Sequence, residues 1–463
     1  MYQFHINKKW VLLALLFLNP VDCLMLSACL QKLKFYLKKP DHLQTLAFVF
    51  SAFLAGLVAV VYAGLFKILE GFYHQLSADH PYWIWFGTPL CLLAGWAMVY
   101  FFAPEASGSG IPQVLAAHDL NYAKNSAWID GLLSIKVVIV KVVSSLLVCL
   151  GGAVTGREGP TIQISAGLFH FVGRITRKFL PKVDPQAWIV AGAAAGLAAA
   201  FNTPLGGIIF AIEEMSISFK RFRTALIISI IIAGLVSQWI LGSYLYLGYP
   251  TISDVSFSVL PLALLIGVIT GLAGSFYGVC IKKLLGWRSQ LKTKTQLALL
   301  ALACGLALAF MAFLNPDASG SGSAVMNALL FKGQKATWDL PLLRIAGSLV
   351  FYVSGAAGGI FAPALAAGAC LSSFMTSWLN LSSPELLVLL GMAGFLTGVT
   401  RTPFTAFVLI LEMTDHHNAI FAIMLCAITA ELSARVLDKE SFYEWSRIRF
   451  MPPGSLRTLK KHQ

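Results

Sequence analysis

The sequence predicts an all-α, polytopic membrane protein built from two structural repeats whose broken helices meet at a central site. Three observations carry this. Apolar stretches long enough to cross a bilayer recur. Charge is scarce. The second half of the chain repeats the first, in order.

The runs at 44–66, 81–102, 224–243, 257–280, 296–314 and 418–437 are almost wholly apolar. A helix of about 20 such residues crosses a hydrocarbon core roughly 30 Å thick. Mean hydropathy is +0.75. Charged residues make up 12% of the chain, against about 25% in soluble proteins. The eight cysteines stand singly, with no C-x-x-C pair. They read as small buried hydrophobes rather than disulfides or metal ligands, and no cofactor is called for.

The formal charge of +13 could indicate nucleic acid, but the bases lie in connecting segments. Lys32, Lys34, Lys38 and Lys39 precede the first span, and Lys220, Arg221 and Arg223 follow Glu213 and Glu214. Lys282, Lys283, Arg288, Lys292 and Lys294 lie between two spans, and Arg447, Arg449, Arg457, Lys460 and Lys461 close the chain. The positive-inside rule places all four clusters, and both termini, on the cytoplasmic side. The first residues allow three readings. "KKWVLLALLFLNPVDCLMLSAC" looks like a basic and apolar leader ending in a lipoprotein-type "LSAC", although "NPVD" interrupts it. Initiation at Met25 is the second reading, and an extra N-terminal segment the third. Residues 30–39 then read as a basic amphipathic helix on the lipid surface.

The duplication shows in three matches. "PEASGSGI" (104–111) resembles "PDASGSGS" (316–323), an offset of 316 − 104 = 212. "GREGP" (156–160) resembles "GIFAP" (359–363) at 203, and "NTPLGGIIFAIEEM" (202–215) resembles "RTPFTAFVLILEMT" (401–414) at 199. Expected boundaries are an N-terminal segment at 1–43, repeats at 44–243 and 244–438, and a short helix and tail at 439–463. Internal repeats in a multispan chain are the signature of a transporter whose site lies between the halves, on discontinuous helices. The matched segments are punctuated by glycine and proline, which break helices. Open backbone at membrane depth is tolerated only where protein or a watery cavity receives it. A freed helix N-terminus carries a partial positive charge and unpaired N–H groups, which suits an anion.

Chemistry is placed asymmetrically on this scaffold. Glu158 aligns with Phe361 and Glu214 with Met413, whereas Glu213 aligns with Glu412. Glu158 is either a solvated loop tip or a carboxylate set inside the membrane. In the second case Pro160 suits the first turn of a helix that starts at Glu158. An intramembrane carboxylate costs roughly 2.5–3.5 kcal/mol and points to function. Ionised, it competes with an anion for the helix N–H groups; protonated, it withdraws. Ser109, between glycines, is a flexible turn or a hydroxyl presented to one point. Ile360 and Phe361 are core packing, or they offer backbone N–H groups at a helix start. Tyr443 is an interfacial-belt tyrosine or a phenol donor. Glu213 and Glu214 are solvated helix-end acids or a proton station.

"GSGIP" (108–112), "GREGP" (156–160) and "GGIFAP" (358–363) resemble the three signature segments of the CLC family of chloride channels and chloride/proton antiporters, and "SFYEWS" (441–446) resembles its Tyr-containing segment after the last span. The resemblance runs from about residue 44 to 450. It implies an inverted-repeat fold and a homodimer with a separate pathway in each subunit. It further implies that chloride is held by the Ser109 hydroxyl, the amides of Ile360 and Phe361, and the Tyr443 phenol. Glu158 would be the gate and external proton site, Glu214 the internal proton acceptor, and Glu213 would line its water access. Serine at 109 goes with chloride, where proline goes with nitrate. Ser321 has no anion role in the family and is expected to be structural. Arg157 is expected to be a structural partner near the mouth, and Lys141 to balance buried charge. The chain departs from related antiporters at Gln113 and Leu115, where acids often stand. About twenty residues follow Tyr443, so no cytoplasmic regulatory domain is expected. The expectation is a chloride/proton antiporter in the inner membrane, with a passive chloride channel as the alternative. Its partners are chloride, protons and lipid, without nucleic acid. An intramembrane hydrolase is disfavoured by the lack of an H-E-x-x-H or a His beside the serine segments. A cation-coupled transporter is disfavoured by helix starts at the site, and a fluoride exporter by the intact first motif.

Overall fold

The computed structural model describes residues 40–453 apart from 121, 181–182, 216–223, 243–245, 251, 253–256, 380–383 and 415. The readings of residues 1–39, of Lys220, Arg221 and Arg223, and of Arg457, Lys460 and Lys461 lie outside the described residues.

The described chain is helical, with two isolated β-bridges. The first half runs α1 (Pro40–Asp79), α2 (Ile84–Phe102), α3 (Ile111–Asp119), α4 (Tyr122–Leu132), α5 (Ile135–Leu150), α6 (Glu158–Thr176), α7 (Pro185–Phe201), α8 (Pro204–Glu213) and α9 (Thr224–Leu241). The second runs α10 (Leu260–Arg288), α11 (Lys294–Leu314), α12 (Ser323–Phe331), α13 (Asp339–Ser354), α14 (Phe361–Leu379), α15 (Pro384–Thr400), α16 (Pro403–Thr414), α17 (Ile420–Leu437) and α18 (Phe442–Ile448). Seven helical stretches among the described residues are long and apolar enough to cross a membrane. Six overlap the stretches read from the sequence. The seventh, Lys124–Leu150, carries Lys136 and Lys141 and is not among those stretches.

The duplication extends well beyond the three motifs. α3 and α12 each have 9 residues, α5 and α13 each have 16, and α6 and α14 each have 19. α7 and α15 each have 17, and α9 and α17 each have 18. Packing repeats too: α6 lies on α7 as α14 lies on α15, and α1 on α9 as α10 on α17. The turns between α7 and α8 and between α15 and α16 use the same rare backbone. Asn202 (φ 57°) and Arg401 (φ 63°) are the non-glycine residues in left-handed conformation among those described. Asparagine tolerates this region; arginine does so rarely. Arg401 is held by its guanidinium, which donates to Ala434 O at 2.8 Å, Asp438 O at 2.9 Å and Ser275 Oγ at 3.0 Å.

α7, rich in alanine, and α15, with three glycines, are buried along most of their lengths and form the centre of the molecule. Small residues let backbones approach closely where apolar lipid offers little drive for association. Around this centre four helices stop short at one locus: α3, α6, α14 and α18. The bridges there tie the halves together. Gly156 and Gly359 exchange N–H···O bonds at 2.9 and 2.8 Å, and Gly358 N donates to Gly108 O at 3.0 Å. The result is two inverted repeats whose broken helices converge on one point.

Candidate functional site

The site is assembled from loops that carry glycine for close approach. A Cβ built on Gly159 would meet Ser109 Oγ at 2.3 Å and Ser109 O at 2.9 Å. A Cβ on Gly156 would meet Glu158 Oε2 at 2.2 Å. The two glycines of "GREGP" therefore have separate tasks: Gly159 admits the Ser109 loop, and Gly156 gives the Glu158 carboxylate its seat. Arg157 is the N-cap residue of α6, so Glu158 opens the helix and Pro160 falls in its first turn.

Ser109 is fully buried, and among the described residues its Oγ has no partner beyond the Tyr443 hydroxyl. Its loop is fixed from behind. The Ser109 N–H donates to Tyr352 Oη at 3.2 Å, and Lys141 Nζ donates to Gly108 O at 2.8 Å. Gln113 Nε2 donates to Ser107 O at 2.6 Å and to Glu105 O at 2.9 Å, so the neutral residue at this position clamps the loop. Gly110 (φ 101°) turns the chain into α3, whose N-terminus faces the same locus. Lys141 differs from its sequence reading. It forms no ion pair among the described residues and holds the Gly108 carbonyl instead.

Tyr443 is fully buried, and among the described residues its Oη has no partner beyond the Ser109 hydroxyl. Its phenol faces Ser109, its ring stacks on Phe361 with centroids 6.4 Å apart, and Phe361 packs on Phe201. α18 is held in place by a Ser441–Glu444 capping box, the Arg447–Asp119 ion pair at 2.8 Å and the Lys282–Asp438 ion pair at 2.7 Å. Ile360 and Phe361 start α14, and the first bond of that helix runs from Ala364 N to Ile360 O at 2.9 Å. Their own N–H groups precede the helix ladder, as orphan donors do.

Glu158 is buried at the head of α6. Oε1 accepts from Tyr246 Oη at 3.0 Å, a partner the sequence reading did not identify. Oε2 has no hydrogen-bond partner among the described residues and lies beside the first turn of α14, near Ala362 N. The carboxylate thus occupies space at a second helix N-terminus. Arg157 turns the other way: Nη1 donates to Ala63 O at 2.8 Å, and the guanidinium sits 5.8 Å from the Tyr246 ring. Glu158, Arg157 and Tyr246 border a cavity of about 390 Å³ that also reaches Lys67, Glu70 and Ser321.

The acids at the other end behave unequally. Glu214 caps α8, with Glu213, Glu444 and Arg447 as its charged neighbours. Glu213, read from the sequence as lining proton access, is committed elsewhere. Its Oε1 accepts from Phe404 N at 3.0 Å, and its Oε2 from Thr405 N at 2.6 Å and Thr405 Oγ1 at 2.8 Å. Its repeat partner does the same in reverse: Glu412 accepts from Leu205 N at 3.0 Å and Gly206 N at 2.6 Å. Each acid closes the N-terminus of the other repeat's helix, where a carboxylate is stabilised by the helix dipole. The alignment of Glu213 with Glu412 was the available signal, and it marks a shared structural task.

The locus is therefore a buried convergence of two hydroxyls without further partners, helix N-termini from both halves and one carboxylate, on a duplicated helical scaffold. The scaffold as a whole is similar to known proteins. The structure of a slow cyanobacterial Cl-/H+ antiporter superposes with a TM-score of 0.75 at 24% identity, covering 88% of this chain and 97% of that one. A CLC-type fluoride/proton antiporter superposes at 0.71 and 22% identity, covering 86% and 96%. At that identity these two show the fold alone. The H(+)/Cl(-) exchange transporter ClcA of Vibrio cholerae serotype O1 (strain M66-2) is 30% identical over 367 residues, 75% of each chain. ClcA of Salmonella newport (strain SL254) is 29% identical over 405 residues, 83% of each. The family model described as voltage gated chloride channel matches residues 90–435, a span that holds the Ser109, Glu158, Glu214 and Ile360 segments, and the chain belongs to that family.

Proposed function

We propose that the protein is a chloride/proton antiporter whose anion site is formed by the Ser109 and Tyr443 hydroxyls and the amides of Ile360 and Phe361. The observation that carries this reading is a group of buried oxygens without further partners: Ser109 Oγ and Tyr443 Oη, which face each other, and Glu158 Oε2 at the head of α6. Buried polar atoms are rarely left unpaired. Two hydroxyls and the head of a helix supply hydrogens to an anion, and the carboxylate competes for them. Ionised Glu158 fills the site. Once protonated it loses its attraction to the helix N-terminus and gives way to chloride, so the proton and the anion exchange places. Glu214 passes the proton from the cytoplasmic side. Glu213 contributes to that path only when it releases α16.

On this reading the protein sits in the inner membrane with both termini cytoplasmic, its two repeats spanning 44–243 and 244–438, a short tail at 439–463, and lipid around its apolar faces. It functions as a homodimer, each subunit with its own pathway. The matched exposed residues Leu205 and Phe404, with Trp239 and Phe421, offer an apolar face for this association.

The test is reconstitution with chloride and proton fluxes recorded together. A chloride gradient should drive uphill proton movement. Glu158→Gln should pass chloride without protons and without pH dependence, and Glu214→Gln should keep near-normal anion flux with no proton flux. Ser109→Pro should raise nitrate transport relative to chloride. Chloride flux that never moves protons in the unmodified protein would identify a passive channel instead.

A further inference from the structure

The second half contains a copy of the Ser109 loop that the proposed chloride site does not use. The two loops are built alike. Lys141 Nζ on α5 donates to Gly108 O at 2.8 Å, and Arg344 Nη1 on α13 donates to Gly320 O at 2.8 Å. Gly110 (φ 101°) leads into α3, and Gly322 (φ 96°) leads into α12. Both cations are buried, Arg344 at 1% exposure. Arg344 Nε has no hydrogen-bond partner among the described residues, and its Nη2 lies 3.1 Å from where a Gly322 Cβ would be. A buried, half-satisfied guanidinium thus backs the loop, as the ammonium backs the first.

The loops differ in what fills them. The Ser109 N–H meets the neutral Tyr352 hydroxyl. The Ser321 N–H donates to Glu70 Oε1 at 2.5 Å, a charge-assisted bond from a carboxylate on α1. Glu70 and Asp317 are the acids within the field of Arg344. Glu70 also borders the cavity that Glu158 borders, with Lys67 and Arg157 on the same wall. One chamber therefore holds two carboxylates, each at a helix start. Remove Glu70 from the loop, and the Ser321 N–H and the start of α12 open onto a chamber bordered by the cations Lys67 and Arg157 and by the Glu158 carboxylate, with the Arg344 guanidinium behind the loop. The backbone N–H at a helix start, with basic side chains around it, suits a small anion.

We propose that the Ser321 loop is a second halide site at the mouth of the Glu158 chamber, with the Glu70 carboxylate as its built-in occupant. Chloride displaces Glu70 by competition and waits there for entry to the site behind Glu158. This rests on the chloride reading given above. It assigns an anion role to Ser321, which the family resemblance left without one.

The experiment is bromide soaking of the full-length, detergent-solubilised protein, read as anomalous difference density, with halide stoichiometry measured by titration calorimetry. The unmodified protein should show bromide at Ser109 and Tyr443. Glu70→Ala should add a peak at the Ser321 N–H and raise the stoichiometry by one halide per chain. Glu70→Asp, one methylene too short to reach Ser321, should do the same and stands in if the alanine variant folds poorly. Arg344→Gln in the Glu70→Ala background should lose the added ion. A peak at Ser109 with none at Ser321 in either Glu70 variant overturns the second site and leaves the chloride reading intact. Absence of bromide from both loops overturns the chloride reading, and this site with it.

Discussion

Gly159→Ala is the most direct probe of how the anion site is built. The new Cβ would lie 2.3 Å from Ser109 Oγ, where ordinary contact begins at 3.4 Å, so about 1 Å of movement is required. The Ser109 backbone cannot supply it. It is pinned by Lys141 through Gly108 O, by Gly358 N, and by Tyr352. The hydroxyl must rotate away. Losing one hydrogen bond to a charged ligand costs about 1.5–3 kcal/mol, which is roughly a 10- to 100-fold weaker chloride affinity. Overpacking costs a further ~1–3 kcal/mol of stability. Gly156→Ala is the control. Its Cβ meets Glu158 Oε2 at 2.2 Å, the far end of a movable side chain. That carboxylate should be expelled, leaving chloride affinity equal or higher while proton coupling fails. Chloride titration calorimetry on both variants, with melting temperature recorded, decides the matter. Unchanged chloride affinity in a folded Gly159→Ala protein would refute the placement of Ser109 at the site.

Two further outcomes follow from the hydrogen bonds. Tyr246→Phe removes the donor to Glu158 Oε1, worth about 1.5–3 kcal/mol for a charged acceptor; the gate should open more readily, with passive chloride efflux from vesicles up roughly tenfold at neutral pH, and an unchanged efflux rate would show that the bond does not hold the gate. Glu412→Gln and Glu213→Gln should each destabilise by about 1 kcal/mol, since both weaken a carboxylate cap; flux measurements then separate them, because a loss of proton transport confined to Glu213→Gln would show that Glu213 serves the proton path as well as the cap.

Legibility in the sequence followed the range of the physics. Features set by local chemistry were readable. Pro160 and Gly110 mark helix starts, the repeat offsets mark paired turns, and a carboxylate in "GREGP" stands out against an apolar run. Features set by contacts across the fold were not. Tyr246 lies 88 residues from Glu158, between the halves, and nothing local distinguishes it from other aromatic residues. The partner of Lys141, the Gly108 carbonyl, lies 33 residues away and has no local signal. The resemblance gave Glu213 a place on the proton path, and nothing local announced that it also caps a helix. The amides it caps, those of Phe404 and Thr405, lie in the other repeat.

Duplication also explains which residues had to break the pattern. An anion can be held by backbone N–H groups, and any sequence that folds into two broken helices supplies them from both halves. Amides do not titrate, so a proton cannot follow that route. It needs side chains, and on the proposed reading these occur once: Glu158 stands at the head of α6 where its repeat counterpart Phe361 is packed against Phe201 and Tyr443. Glu214 has Met413 as its counterpart, fully buried in the core. The acid that is duplicated, Glu213 with Glu412, is the one whose task is identical in both halves. Glu70 fits the same logic from the opposite direction. It stands on α1 and reaches into the loop that copied the anion site, so the second half keeps the geometry while a resident carboxylate keeps it occupied.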